Sequence, residues 1–225
     1  IYRDGVLLAE GQLTVPANVS RTYNYIGKSN WSGDSLYQGY MDEVKIYNCA
    51  LSSEEIFDEY AFSNGTYDQK NVGLISYWNM DETSGTNVKD SLGINNGTAT
   101  GTTIVDGKVN KGRSFNGTSD YITLPSGFSD FTKGFTVSLW ANPTSNANWA
   151  RFIDFGEISN STHANIELCR SNSNNDLHLA IGNGTSSFTL DATNAIINNE
   201  WHLYTGTVDA SGMGRIYRDG VLLAE

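Results

Sequence analysis

The residues of this 225-residue chain with the clearest recognition chemistry are aromatics set in polar, loop-like stretches. Trp31, Tyr37 and Trp149 are three such positions. A flat apolar ring with polar neighbours suits stacking on a sugar face. Trp78, Trp140 and Trp201 instead sit in strand-like runs, where packing is the better reading. Asparagine offers a second chemistry. Asn-x-Ser/Thr occurs at Asn18, Asn30, Asn64, Asn96, Asn116, Asn160 and Asn183, all in loops or strand ends, and each is a glycosylation acceptor if the host modifies it. Catalysis has less support. His163, His178 and His202 are scattered, with no metal-motif spacing and no Ser/His/Asp order. The two cysteines, Cys49 and Cys169, allow either one disulfide in an oxidising compartment or two buried thiols.

The elements that position these residues are mostly short strands. Runs at 12–15, 21–27, 39–48, 74–80, 113–115, 121–124, 134–141, 151–155, 164–170, 177–181, 188–190, 201–208 and 214–218 are rich in aromatic and β-branched residues. Gly, Asn and Ser turns separate them. Residues 83–103 read as mostly turns. One helix is expected over 53–60, where Ser52 and Glu55 form a capping box. The pattern predicts an all-β fold, an antiparallel β-sandwich with one short peripheral helix. A net charge of −11, with no Lys/Arg run, argues against nucleic acid and anionic membrane as partners. No apolar run is long enough for membrane insertion.

The decapeptide IYRDGVLLAE occurs twice, at residues 1–10 and 216–225. Its central Asp-Gly predicts a two-residue hairpin turn. The offset of 215 residues reads as one period of a tandem repeat with a ten-residue overlap.

Several segments together resemble a known family. LISYWNMDETSG, RSFNGTSDYITLP, GFTVSLWANPTS, EWHLYTGTVD and RIYRDGVLLAE are similar to successive landmarks of a laminin-G-like, concanavalin-A-like jelly roll. The family's final landmarks resemble YIGKS and GYMDEVKIYNCALSSEEI, which come first here, at 25–56. The order is circularly shifted. The resemblance implies that residues 1–60 are the C-terminal half of one repeat, 61–73 a linker, and 74–225 the N-terminal part of the next. Residues 11–60 then fold back onto the same chain or complete a neighbouring copy.

The resemblance also implies site roles. Asp42 matches a position that holds structural calcium in related jelly rolls, with Asp81 close by. Glycan binding is common in such modules and falls to Trp31, Tyr37 and Trp149. Related glycosidases carry Glu-x-Asp-x-x-Glu on a central strand. Here the stretch from Phe152 to Glu157 keeps Asp154 and Glu157 but has Phe152 at the nucleophile position, so the pair needed for hydrolysis is incomplete and no enzyme is expected. Cys49 and Cys169 both depart from the family pattern, which points to a bond between them, within one copy or between copies. The leading expectation is a structural repeat module of an extracellular surface protein or fibril, self-assembling through neighbouring copies. The alternative is a carbohydrate-binding, adhesive module whose avidity comes from repetition.

Overall fold

The computed structural model describes residues 11–53, 55–56, 73–127, 130–156 and 164–225. These residues form β1 (Gly11–Gln12), β2 (Tyr23–Ile26), β3 (Gln38–Tyr47), β4 (Leu74–Trp78), β5 (Asn87–Val88), β6 (Gly97–Thr100), β7 (Thr103–Asp106), β8 (Lys111–Asn116) and β9 (Tyr121–Leu124). They continue with β10 (Gly134–Pro143), β11 (Arg151–Gly156), β12 (Ile166–Arg170), β13 (Leu177–Gly182), β14 (Ser187–Ala192), β15 (His202–Asp209), β16 (Met213–Arg218) and β17 (Val221–Ala224). Two antiparallel sheets result among the described residues. One has nine strands in the order β1-β16-β15-β10-β3-β8-β7, with β17 also on β16 and β4 also on β3. The other has eight, in the order β14-β13-β12-β11-β2-β9-β6-β5.

The inner faces of the two sheets make one core. Val137 and Leu139 of β10 share it with Phe155, Ile166 and Leu179 of the opposite sheet. Phe152 of β11 stacks on Tyr204 of β15 with ring centroids 5.3 Å apart, which couples the sheets directly. Trp78 is fully buried in this core and donates its indole N–H to Asn95 O at 2.8 Å. Trp140 is not part of it. Alternation puts Val137, Leu139 and Ala141 inward, so Trp140 lies on the other face, with Lys108 Nζ 4.4 Å from its ring centre. Trp201 is half-buried beside Tyr40.

The N-terminal segment is not an appendage. β2 lies between β11 and β9, and β3 between β10 and β8, so residues 11–56 give each sheet an interior strand. A bulge in β3 sets its phase. Lys45 faces Ser138 and Asp42 faces Trp140, leaving Glu43 and Val44 opposite Leu139 alone. Glu43 takes φ 54° there, and the extra residue lets both Met41 and Val44 face the core.

The repeated decapeptide forms its hairpin at residues 216–225. Asp219 and Gly220 both have positive φ, 52° and 74°, as a type I′ turn requires. Residues 1–10 lie outside the described residues. In the hairpin, Ile216 faces Ala224. Two positions back along β16, Gly214 faces Gly11, and Met213 faces Gln12. With the period of 215, Gly11 is the equivalent of the residue that follows Glu225. The chain therefore runs from β17 into β1 in unbroken antiparallel register, without a covalent link between Glu225 and Gly11. The second copy of the decapeptide fills the slot, and residues 11–56 follow it as they would in an uninterrupted domain.

The expected helix begins where the capping box puts it. Glu55 Oε2 accepts from Ser52 N at 2.8 Å, Ser52 Oγ accepts from Glu55 N at 3.3 Å, and Ile56 N donates to Ser52 O. Ile56 is buried with Leu51 against Tyr217 and Leu222, so this turn packs on the outer side of the hairpin. The rest of the helix and nearly all of the 61–73 linker lie outside the described residues. The turn-rich 83–103 stretch does contain strands, β5, β6 and the start of β7. Their inward positions include Gly97 and Ala99, and a Cβ on Gly97 would sit 2.9 Å from Ile122 Cγ2. Small inward residues leave no hydrophobic alternation to read.

Candidate ligand-binding cleft

One row of residues crosses the outer face of the eight-stranded sheet. Thr189 faces Ala180, Ala180 faces Glu167, Glu167 faces Asp154, and Asp154 faces Tyr25. Such outward positions are usually solvated. Here the loops before β3 and β11 rise over the row and make a cleft of about 430 Å³, walled by Trp31 and Trp149 and floored by Arg151, Glu167 and His178. Ser32, Asp34, Ser187 and Thr189 complete its polar lining.

Arg151 organises the floor. Its Nη2 lies 2.8 Å from Asp34 Oδ2 and 3.0 Å from Glu167 Oε2, and its Nε 3.5 Å from Asp154 Oδ2. Nη1 donates to Trp149 O at 2.9 Å, and the guanidinium carbon lies 5.8 Å from the Trp149 ring centre. Burial alone would favour losing the proton, but Cys169 and the carboxylates of Glu167, Asp154 and Asp34 around it outweigh that and push the Arg151 pKa up.

Asp154 is sealed beneath this layer. It has no exposed surface. Its Oδ2 accepts from Asn30 N at 2.9 Å, and its Oδ1 from Asn30 Nδ2 at 2.9 Å and Asn165 Nδ2 at 3.2 Å. Burial raises its pKa, Glu167 adds to the rise, and Arg151 and the Asn30 donors oppose it. Gly156 makes room for this seal, since a Cβ there would sit 2.1 Å from Asn30 Nδ2.

The two tryptophans are held differently. Trp31 is 37% exposed, and its loop is pinned by Ser29 Oγ, which accepts from Trp31 N at 2.9 Å and donates to Asp34 Oδ2 at 2.7 Å. Trp149 has φ 52°, a conformation that costs a bulky residue about 1–3 kcal/mol and concentrates at functional sites. Its ring meets His178 edge-on at 5.3 Å, and His178 Nδ1 lies 2.9 Å from Asp191 Oδ1.

Of the three expected sugar-stacking aromatics, the fold brings Trp31 and Trp149 to one cleft and buries the third. Tyr37 is 2% exposed, packs edge-on against Phe115 and Phe152, and donates to Tyr40 O at 3.0 Å. It belongs to the core and cannot meet a ligand. Phe152 also points into the core, 2% exposed, because the β-bulge between Arg151 and Ile153 breaks the alternation and turns it away from the Asp154 face. Glu157 lies outside the described residues.

Asp42 and Asp81 approach each other at the β3 bulge, where Asp81 adds to the charge that Asp42 experiences. Burial is the main cause that raises Asp42 to about 8, and Glu43 raises it further against the Val109 N–H. Asp42 accepts from Glu43 N at 2.9 Å and Val109 N at 2.8 Å; Asp81 accepts from Lys111 N at 3.0 Å and from the side chains of Asn79 and Asn110. Beside them the Tyr77 hydroxyl donates to Glu43 Oε2. Among the described residues no group of three or more carboxylates, histidines or cysteines is placed to hold a metal. Each oxygen of Asp42 and Asp81 receives an N–H, and the two carboxylates alone fall short of the about six to eight oxygens that calcium takes. Asp42 pins the turn before β8 onto β3, and Asp81 pins the start of β8 to the segment after β4.

Cys49 and Cys169 do not form the expected intrachain disulfide. Cys49 follows β3 of the nine-stranded sheet, while Cys169 lies in β12 of the other sheet, opposite Arg151 and His178. Burial pushes the thiols of both up. The sequons differ in availability. The Asn30 amide is spent on Asp154 and Tyr23 O. Asn18, Asn96 and Asn116 are exposed and Asn183 is half-buried in its turn; Asn64, Asn160 and His163 lie outside the described residues. His202 serves structure, with Nδ1 2.5 Å from Asp219 Oδ2 of the hairpin turn.

The sequence reading missed Asp34, Arg151, Glu167 and His178. They come from three separate strands and a loop, so no local spacing joins them. The one available signal was Arg151 and Asp154 in an otherwise apolar run, since such charges need partners when buried.

A laminin-G-type model of the concanavalin A-like lectin/glucanases superfamily matches residues 1–57 and 116–225. The split match is consistent with a circular shift of the family's order. No curated protein matches the chain, and no solved structure does. The strand landmarks, the sandwich they build and a match over most of the length agree: the chain belongs to the concanavalin A-like lectin/glucanases superfamily.

Proposed function

We propose that the chain is a carbohydrate-binding, adhesive module of an extracellular repeat protein, binding a glycan in the cleft between Trp31 and Trp149. The observation that carries this is the pairing of two indole rings with a fixed polar floor in one concave site, the composition of small-ligand sites in general. The rings supply stacking surface, and Glu167, Asp34, Ser187 and Thr189 supply hydrogen-bond partners for hydroxyls. We propose binding without hydrolysis. Asp154 is sealed from the cleft by Asn30, and Phe152 occupies the position where a nucleophile would be needed. Glycan-array binding followed by calorimetry tests the reading. Trp31→Ala and Trp149→Ala should each weaken binding about tenfold or more, the scale of a truncated aromatic hot spot. Unchanged affinity in both variants would remove the cleft as the site.

A second reading has its own support. The continuous register from β17 into β1 suits a repeat whose segments can complete a neighbouring copy as readily as their own chain. We propose that such copies form the structural part of a surface array, which supplies avidity to the cleft. Electron microscopy of tandem copies tests this, and domains without regular longitudinal spacing would count against it.

A further inference from the structure

We infer that the cleft takes a neutral, hydroxyl-rich sugar chain and turns away uronic-acid and sulfated chains, because its guanidinium is already neutralised by the protein. The inference rests on reading the cleft as a glycan site and names the chemical class it accepts. A basic residue on the floor of a sugar site would ordinarily suggest an anionic ligand, since arginine matches carboxylate and sulfate oxygens in two-point fashion. Arg151 is not available in that way. Its side chain is 4% exposed. Nη2 is shared between Asp34 and Glu167, Nη1 donates to Trp149 O, and Nε faces Asp154. Both terminal nitrogens are engaged, and Nε, which makes no hydrogen bond, is buried beside Asp154.

The charge that remains is negative. Asp34 and Glu167 are 14% and 12% exposed, more than the cation between them. Arg151 meets Asp34 through Oδ2 and Glu167 through Oε2, and each carboxylate has a second oxygen besides. Those oxygens accept from sugar hydroxyls and repel acidic groups. His178 is committed through Nδ1 to Asp191. The other polar groups that line the cleft, Ser32, Ser187 and Thr189, are uncharged hydroxyls. The chain as a whole carries −11, which opposes an anionic polymer at longer range.

The test uses the full chain on matched pairs of oligosaccharides, neutral gluco-, manno- and galacto-chains beside their sulfated and uronic-acid counterparts. The neutral member should bind at least about tenfold more tightly in each pair that binds at all, a difference of about 1.4 kcal/mol. Equal or tighter binding of the acidic member overturns the inference while leaving the glycan reading standing. A second measurement stands apart from any glycan. In the Asp34→Asn/Glu167→Gln variant Arg151 loses both cleft-side carboxylates, so titration with inorganic sulfate should shift the Arg151 side-chain N–H resonances, and the unmodified chain should show no such shift. Sulfate shifting Arg151 in the unmodified chain, or in neither protein, overturns the inference. A native-like amide spectrum of the variant shows that it has folded. Failure of every sugar to bind instead overturns the glycan reading, and the inference with it.

Discussion

Asp219 separates the two copies of the decapeptide in an experiment. Among the described residues the copy at 216–225 fills the slot in the sheet, so Asp219→Ala and Asp4→Ala should behave differently although their local sequences are identical. Asp219 Oδ1 accepts from Leu203 N at 2.9 Å, and Oδ2 lies 2.5 Å from His202 Nδ1. Leu203 is buried, so its N–H would lose a charged acceptor, a loss of about 1.5–3 kcal/mol. Asp219 also holds φ 52°, where alanine costs roughly 1–2 kcal/mol. Together Asp219→Ala should destabilise by about 3 kcal/mol, and for a domain of this size that lowers Tm by roughly 6–12 °C. Asp4→Ala should lie within about 0.5 kcal/mol of the parent. The roles should exchange in a chain truncated to residues 1–215, because the first copy is then the sole occupant available, and there Asp4→Ala should carry the same penalty. Urea unfolding of these variants beside their two parent chains is the assay. Equal destabilisation by the two substitutions in the full chain, or no effect of Asp219→Ala, would refute the assignment of the slot.

Three further outcomes follow from the buried groups. Gly156→Ala drives a Cβ to 2.1 Å from Asn30 Nδ2, so it should cost about 1–3 kcal/mol and weaken glycan binding by displacing the Trp31 loop; a neutral result in both unfolding and binding would contradict the seal. Asp42 is raised to about 8, so the folded state holds a proton that the unfolded state has released between about pH 4 and pH 8. Stability should therefore fall as pH rises through that window and level off above it. Asp154, raised in the same direction, adds to the fall, and Asp42→Asn should flatten the profile in part. Chelation with EDTA should leave Tm within about 1 °C of its value in calcium, and a larger drop would show that a bound cation stabilises the fold.

The sandwich was legible because its strands carry their own signal. GFTVSLWANP alternates inward Val137, Leu139 and Ala141 with outward Ser138 and Trp140, and both Asp-Gly and the Ser52/Glu55 box mark their turns by local chemistry. β5 and β6 were not legible, since Gly97 and Ala99 face inward and offer no apolar period. The site was legible only in part. Trp31 and Trp149 stand out as aromatics in polar loops, and so did Tyr37, but only tertiary packing against Phe115 and Phe152 decides that Tyr37 is core. Arg151, Asp34, Glu167 and His178 meet through sheet register and a loop, and no spacing along the chain encodes that meeting. The fate of the repeated hairpin was equally closed to the sequence, because identical segments cannot be ranked for one slot without knowing that Gly11 continues β17.

The central functional claim is that sugar rings sit between Trp31 and Trp149 above the Arg151 floor. A crystal structure with the tightest-binding neutral oligosaccharide from the array tests it most directly. The expected result is a sugar ring in van der Waals contact with one or both indoles, with its hydroxyls hydrogen-bonded to Glu167 or Asp34. An oligosaccharide bound elsewhere on the sandwich, with the cleft holding only water, would contradict it.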